Sequence, residues 1–193
     1  MKVLLIDHED SFVYNLYQAL RVQGAVVRCH RYTAPVRDSV AWDPDAIVLS
    51  PGPGHPRDRR VTGHSVELLR RWHRDRPFLG VCLGHQLIGD FYGAQVGRAE
   101  SPVHGETVEI EHTPAPLFRQ VPTPFLGARY HSLIVRGNGL PQELAVTART
   151  RRGTIMAVDH RSDPVHGLQF HPESYLTPDG PQILANFLAE ARR

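Results

Sequence analysis

The segment Gly80-Val81-Cys82-Leu83-Gly84-His85-Gln86 constrains this chain more than any other. Phe78-Leu79-Gly80-Val81 reads as a short buried strand, and residues 86–92 read as a helix closed by Gly93. A cysteine at such a strand-to-helix turn, flanked as G-x-C-x-G, matches the cysteine form of a nucleophile elbow. Small neighbours let the strained turn hold the side chain out toward a substrate. The turn also sets the thiol near a helix N-terminus, where the dipole and free N–H groups favour thiolate. Cysteine is equally a good small core residue, so a buried structural thiol is the competing reading.

The first half of the chain agrees with an elbow in an α/β layout. Val3-Leu4-Leu5-Ile6 is a continuous apolar run ending at Asp7, as in a strand buried on both faces. Phe12, Val13, Leu16, Ala19 and Leu20 recur at helical spacing, with Asp10 or Ser11 as N-cap and Gly24 as terminator. Residues 25–29 and 46–49 read as strands, the latter running into Ser50-Pro51-Gly52-Pro53-Gly54. Residues 62–74 read as one helix, and 34–45 and 113–124 as proline-bearing loops. Strands alternating with helices predict a doubly wound, mostly parallel sheet. In the second half, short strands at 107–111, 145–148, 155–158 and 165–170 predict a mixed or antiparallel extension. A helix over 181–191 closes the chain. No repeat or long linker divides residues 1–193, so one domain is expected.

Bulk properties narrow the function. A net charge of +2 makes no case for a nucleic-acid or membrane surface. There is no long apolar run and no signal-peptide pattern. Cys29 and Cys82 form no disulfide framework, and a free reactive thiol suits a reducing cytoplasm. Twelve histidines invite a metal reading, but neither H-E-x-x-H nor C-x-x-C occurs, so no metal is expected. His55, His64, His73 and His112 read as solvent-facing, His85 as packing beside the elbow, and Cys29 as core.

A cysteine nucleophile needs a base, and His171 is the best candidate. It follows the strand at 165–170 and precedes Pro172-Glu173. Residues two apart on an extended segment share a face, so Glu173 can orient the His171 imidazole. A surface ion pair is the competing reading. The N–H of Leu83 and the Gly52 to Gly54 loop are candidate oxyanion donors. Asp7, Ser50 and Cys82 each follow an apolar strand, and open parallel sheets gather their sites along that carboxyl edge.

Residues 80–86, 50–56 and 167–177 resemble the three signature segments of the class I (triad) glutamine amidotransferases. Residues 7–16, Tyr130-His131-Ser132-Leu133 and Met156-Ala157-Val158-Asp159-His160 resemble the anthranilate synthase and aminodeoxychorismate synthase component II branch. The likeness extends over essentially the whole chain. It implies a flavodoxin-like fold and a glutaminase that passes ammonia to a separate chorismate-binding synthase subunit, component I. Cys82 would attack the side-chain amide of L-glutamine, and His171 would protonate the departing ammonia. Gln86 would contact the substrate, Ser132 and Leu133 would hold its amino-acid end, and Gly52, Pro53 and Gly54 would line the pocket. The resemblance implies no cofactor on this chain, with Mg²⁺ serving only the partner. The product could be anthranilate, 4-amino-4-deoxychorismate or a related aminated chorismate. The alternatives are a stand-alone γ-glutamyl cysteine hydrolase and a non-catalytic interaction subunit. Three positions depart from the family pattern: His8 replaces an asparagine, Glu106 a basic residue, and Tyr175 a smaller aliphatic one. These departures are expected to face the partner.

Overall fold

The computed structural model describes residues 1–192, with Ser101 described by its backbone alone. The strands are β1 (Lys2–Asp7), β2 (Val26–Arg31), β3 (Ala46–Leu49), β4 (Phe78–Val81), β5 (Val96–His112), β6 (Phe125–Val135), β7 (Leu144–Thr150), β8 (Ile155–His160) and β9 (Val165–Leu168). The helices are α1 (Val13–Val22), α2 (Val36–Trp42), α3 (Arg59–Thr62), α4 (Ser65–Trp72), α5 (Leu83–Phe91) and α6 (Gly180–Glu190). The nine strands form one sheet in the order β2-β1-β3-β4-β9-β8-β7-β5-β6. Neighbours from β2 to β9 are parallel, and those from β9 to β6 are antiparallel. The expected parallel sheet with an antiparallel extension is therefore observed.

Alternation along the central strands explains the two layers. Val3 and Leu5 of β1 pack with Leu16 and Leu20 of α1 and with Ile183, Leu184 and Phe187 of α6. Leu4 and Ile6 point the other way and pack with Leu68, Leu69 and Trp72 of α4 and Leu87 and Ile88 of α5. A strand with helices on both faces has no polar face to show, which is why β1, β3 and β4 read as unbroken apolar runs.

Several local expectations are corrected. The helix expected over 62–74 is two helices, α3 and α4, broken at Gly63. A β-carbon there would lie 1.9 Å from the Tyr32 carbonyl oxygen, and φ is +50°. Residues 34–45 are not only loop, since Pro35 precedes α2. The loop at 113–124 contains a 3₁₀ turn, Pro116–Phe118, that buries Leu117 and Phe118. Neither Asp10 nor Ser11 caps α1; the N-cap is Phe12, and Asp10 Oδ1 accepts its N–H at 2.8 Å. The expected strand at 107–111 is the end of the much longer β5, and its hairpin partner β6 was not anticipated.

Candidate active site

Cys82 sits between β4 and α5, at φ 53° and ψ −100°. Its N–H donates to Leu168 O at 2.8 Å, and its carbonyl accepts from Gln86 N at 3.0 Å. The turn closes only because its flanks are glycine. A β-carbon on Gly80 would lie 2.4 Å from the Gly84 backbone, and one on Gly84 would lie 2.2 Å from Leu49 O. Helix α5 begins at Leu83, earlier than expected, so the thiol stands directly at its N-terminus. The Leu83 N–H, in the first turn, has no intrahelical acceptor.

His171 and Glu173 converge on this turn. His171 Nδ1 donates to Glu173 Oε1 at 2.7 Å, and both side chains are buried. The contact arises differently from the expectation. Strand β9 ends at Leu168, and the pair meets in a turn rather than on an extended segment. That turn is fastened to β6: His171 N donates to Ala128 O, Thr177 Oγ1 donates to His171 O at 2.7 Å, and Ala128 N donates to Thr177 Oγ1 at 3.0 Å. Burial alone lowers the His171 pKa. Contacts with the Cys82 sulfur and the Glu173 carboxylate outweigh it and push it up to about 10. Nε2 itself makes no hydrogen bond, and the nearby Cys82 sulfur is the group whose charge it senses.

Strand β6 forms the opposite wall. The Cys82 thiol points at Tyr130 O, 3.9 Å away. Gln86 Nε2 donates to Leu133 O at 3.0 Å and to Gln169 Oε1 at 3.3 Å. Gln86 therefore positions the 132–133 backbone, with its amide nitrogen committed to protein partners. Ser132 is exposed and Leu133 half-buried. Gly52 lies against the elbow: a β-carbon would come within 2.5 Å of His8 Cβ and 2.8 Å of Leu83 Cδ2. Pro53 and Gly54 follow, both exposed. The structure thus brings Cys82, His171, Glu173, Leu83, Gln86, Ser132, Leu133 and the Gly52 loop to one rim.

Three neighbours lie in the motif segments but were assigned no role in the site. Gln169 is fully buried, and its Nε2 lies 3.7 Å from Cys82 Sγ. Phe12 and Tyr130 set their rings 5.4 Å and 5.0 Å from the His171 ring, at 65° and 71°. Gln169 had a signal, a glutamine inside an apolar run; the aromatic residues stood in the motif segments with nothing in their spacing to tie them to His171.

The other histidines need correction. His64 is buried, with Nδ1 2.8 Å from Tyr32 O, and His73 is partly covered, with Nδ1 2.9 Å from Leu69 O. His55 and His112 are partly covered rather than solvent-facing. His8 is buried rather than partner-facing, between Ser50 and Ser65 Oγ at 3.2 Å and 2.9 Å. Burial pushes its pKa down to about 4. Tyr175 and Glu106 are exposed. Cys29 is half-buried, and burial, then the Asp7 charge, raises its pKa to about 11. Among the described residues, no helix is long and apolar enough to cross a membrane, and no group of three or more His, Cys, Asp or Glu could hold a metal ion.

The chain is 46% identical to anthranilate synthase component 2 of Methanothermobacter thermautotrophicus, covering 96% of this chain and 97% of the relative. It is 41% identical to the aminodeoxychorismate/anthranilate synthase component 2 of Bacillus subtilis, over 99% and 97%. A crystal structure of a Thermoplasma acidophilum protein, provisionally assigned to GMP synthase, shares the fold with a TM-score of 0.88 at 22% identity, covering 100% of this chain and 94% of that one. The model of the family described as glutamine amidotransferase class-I matches residues 4–191, and the chain belongs to that family.

Proposed function

We propose that this chain is the glutaminase subunit of a chorismate-utilising synthase, with Cys82, His171 and Glu173 as its catalytic triad. The observation that carries the reading is the buried Glu173–His171 pair turned toward a thiol on a strained elbow. The names of the relatives, component 2 of anthranilate or aminodeoxychorismate synthases, support the branch. The Cys82 sulfur attacks the side-chain amide carbon of L-glutamine. The Leu83 N–H and the Gly52 to Gly54 backbone stabilise the oxyanion, a contribution worth ~10²–10³ in rate per donor. His171 gives its proton to the amide nitrogen, the C–N bond breaks, and ammonia leaves. Water, deprotonated by His171, then attacks the thioester and releases glutamate with the free thiol. Glu173 keeps the imidazole oriented and charged when required. Gln86 fixes the Leu133 carbonyl, and Ser132 and Leu133 hold the substrate's amino-acid end. The ammonia passes to a component I subunit that binds chorismate and the Mg²⁺ its chemistry needs. This chain works in the cytoplasm without a cofactor of its own.

The test pairs Cys82→Ala with a chorismate-utilising partner. Glutamine-dependent product should vanish, while product from ammonium salts persists. Equal loss with both nitrogen sources would sink the reading. High glutaminase activity without the partner, unchanged on adding it, would favour a stand-alone hydrolase.

A further inference from the structure

A wide cleft lies away from the thiol. It has a volume of about 690 Å³ and opens on the antiparallel extension, between the β5–β6 hairpin and the β7–β8 turn. Ligand sites have volumes of ~300–1,000 Å³, so it could enclose a small molecule. Five arginines line it, Arg98, Arg129, Arg136, Arg151 and Arg152, against three glutamates, Glu100, Glu106 and Glu109. Arg151 is paired with Glu109 at 3.2 Å, but Arg129 reaches Glu106 only at 3.9 Å, and that glutamate is exposed. Arg98, Arg136 and Arg152 have no carboxylate partner among the described residues.

Its floor is underbonded. Arg129 Nε is buried without a hydrogen-bond partner, and so are both ring nitrogens of His131, a residue only 5% exposed. The Leu133 backbone approaches the His131 ring without forming a well-aligned hydrogen bond. Buried polar groups left unpaired are costly, so a cluster of them in a cationic cleft marks a place for anionic oxygens. Cations stand at both ends: Arg98 and Arg136 beside the start of β5, and Arg151 and Arg152 on the β7–β8 turn. That spread suits an anion with two or more charged groups. Val103, Val108 and Ile134 supply apolar contact.

The floor is also the back of the active-site wall. Arg129 and His131 face the cleft from β6, while Ala128 O, Tyr130 O and Leu133 O of the same strand contact His171, Cys82 and Gln86. We propose that this cleft is an effector site for a small organic polyanion, such as a di- or tricarboxylate, and that its occupancy acts on glutamine turnover through β6. The effector role rests on the glutaminase reading; binding itself does not.

Citrate is the probe, with sodium chloride at matched ionic strength as control. Calorimetry on the whole chain should show saturable citrate binding that chloride does not reproduce. Arg98→Gln with Arg152→Gln, both on exposed side chains, should weaken it about tenfold or more, as expected for lost charge-assisted contacts. Glu106→Gln should tighten it. Citrate should change the glutaminase kcat of the chain with its synthase partner, and the double variant should lose that response with basal kcat unchanged. Absence of saturable binding, or equal binding by the double variant, would overturn the site. Binding without any change in kcat would overturn the effector role. A chain that binds citrate yet has no glutaminase activity would refute the glutaminase reading and leave the binding site standing.

Discussion

Cys82 occupies a backbone region that a residue with a β-carbon adopts only under strain, at a cost of ~1–3 kcal/mol. The Leu168 and Gln86 hydrogen bonds and the Gly80–Gly84 contact hold it there. The sulfur is thereby aimed with little freedom, and the imidazole must be aimed to match. Glu173 grips Nδ1, while the rings of Phe12 and Tyr130 pack on His171 and restrict its rotation. Glu173→Gln keeps the shape and removes the charge. Because Glu173 raises the His171 pKa, its loss should lower that pKa and pull the alkaline limb of the activity profile to lower pH. Turnover should fall by about 10²-fold or less, the low end of what positioned acid–base groups contribute, and less than in Cys82→Ala. The pH dependence of iodoacetamide alkylation checks this separately. Cys29, held near 11, should contribute little at neutral pH. An unmoved profile, or a variant as inert as Cys82→Ala, would count against an orienting role.

At the scale of elements, α6 is tied to the sheet by a buried ionic cluster. His166 of β9 places Nδ1 2.9 Å from Asp159 Oδ1 of β8 and Nε2 3.1 Å from Glu190 Oε2 of α6. Burial opposes the imidazolium, but the two carboxylates outweigh it and raise the pKa to about 9. His166→Leu would leave two poorly exposed carboxylates facing an apolar side chain. It should cost about 3 kcal/mol, the low end for a broken buried pair, read as a lower urea midpoint. Asp159→Asn should cost less, since Glu190 still meets the cation; the opposite ranking would contradict a three-member cluster. Such long-range contacts explain what the sequence could and could not disclose. Strands β1, β3 and β4 were legible because burial on both faces leaves a continuous apolar run. The break at Gly63 was not, because the atom it avoids belongs to Tyr32 on another segment. Strand β6 was hidden because its middle, Arg129-Tyr130-His131-Ser132, is polar on both faces, serving the cleft and the thiol. The proposed triad was legible because each member follows a strand at the rim. Gln169, Phe12 and Tyr130 act by touching those members, and contact leaves no spacing to read.

Across the whole molecule, buried histidines pull stability in two directions with pH. Burial lowers His8 and His131 to about 4 and His85 to about 3, against an ordinary value of 6.5. The Arg129 charge adds to the effect at His131. Below pH 6.5 the unfolded chain takes up protons on these three that the folded chain refuses. Their contribution is complete above 6.5 and drains away as pH falls toward 4. His166 and His171 are raised to about 9 and about 10, so the folded chain keeps protons that the unfolded chain releases. Their contribution is complete below 6.5 and is lost as pH rises through 9 and 10. Each group acts on the order of a few kcal/mol, large against the ~5–15 kcal/mol that holds a domain folded. The urea midpoint should therefore peak near pH 6.5 and fall on both sides. His166→Leu should flatten the alkaline fall and leave the acid one unchanged, because the groups responsible sit on different elements. A midpoint still rising from pH 6.5 to 5 would mean that His8, His85 and His131 are not held neutral, and the buried contacts assigned to them would have to be redrawn.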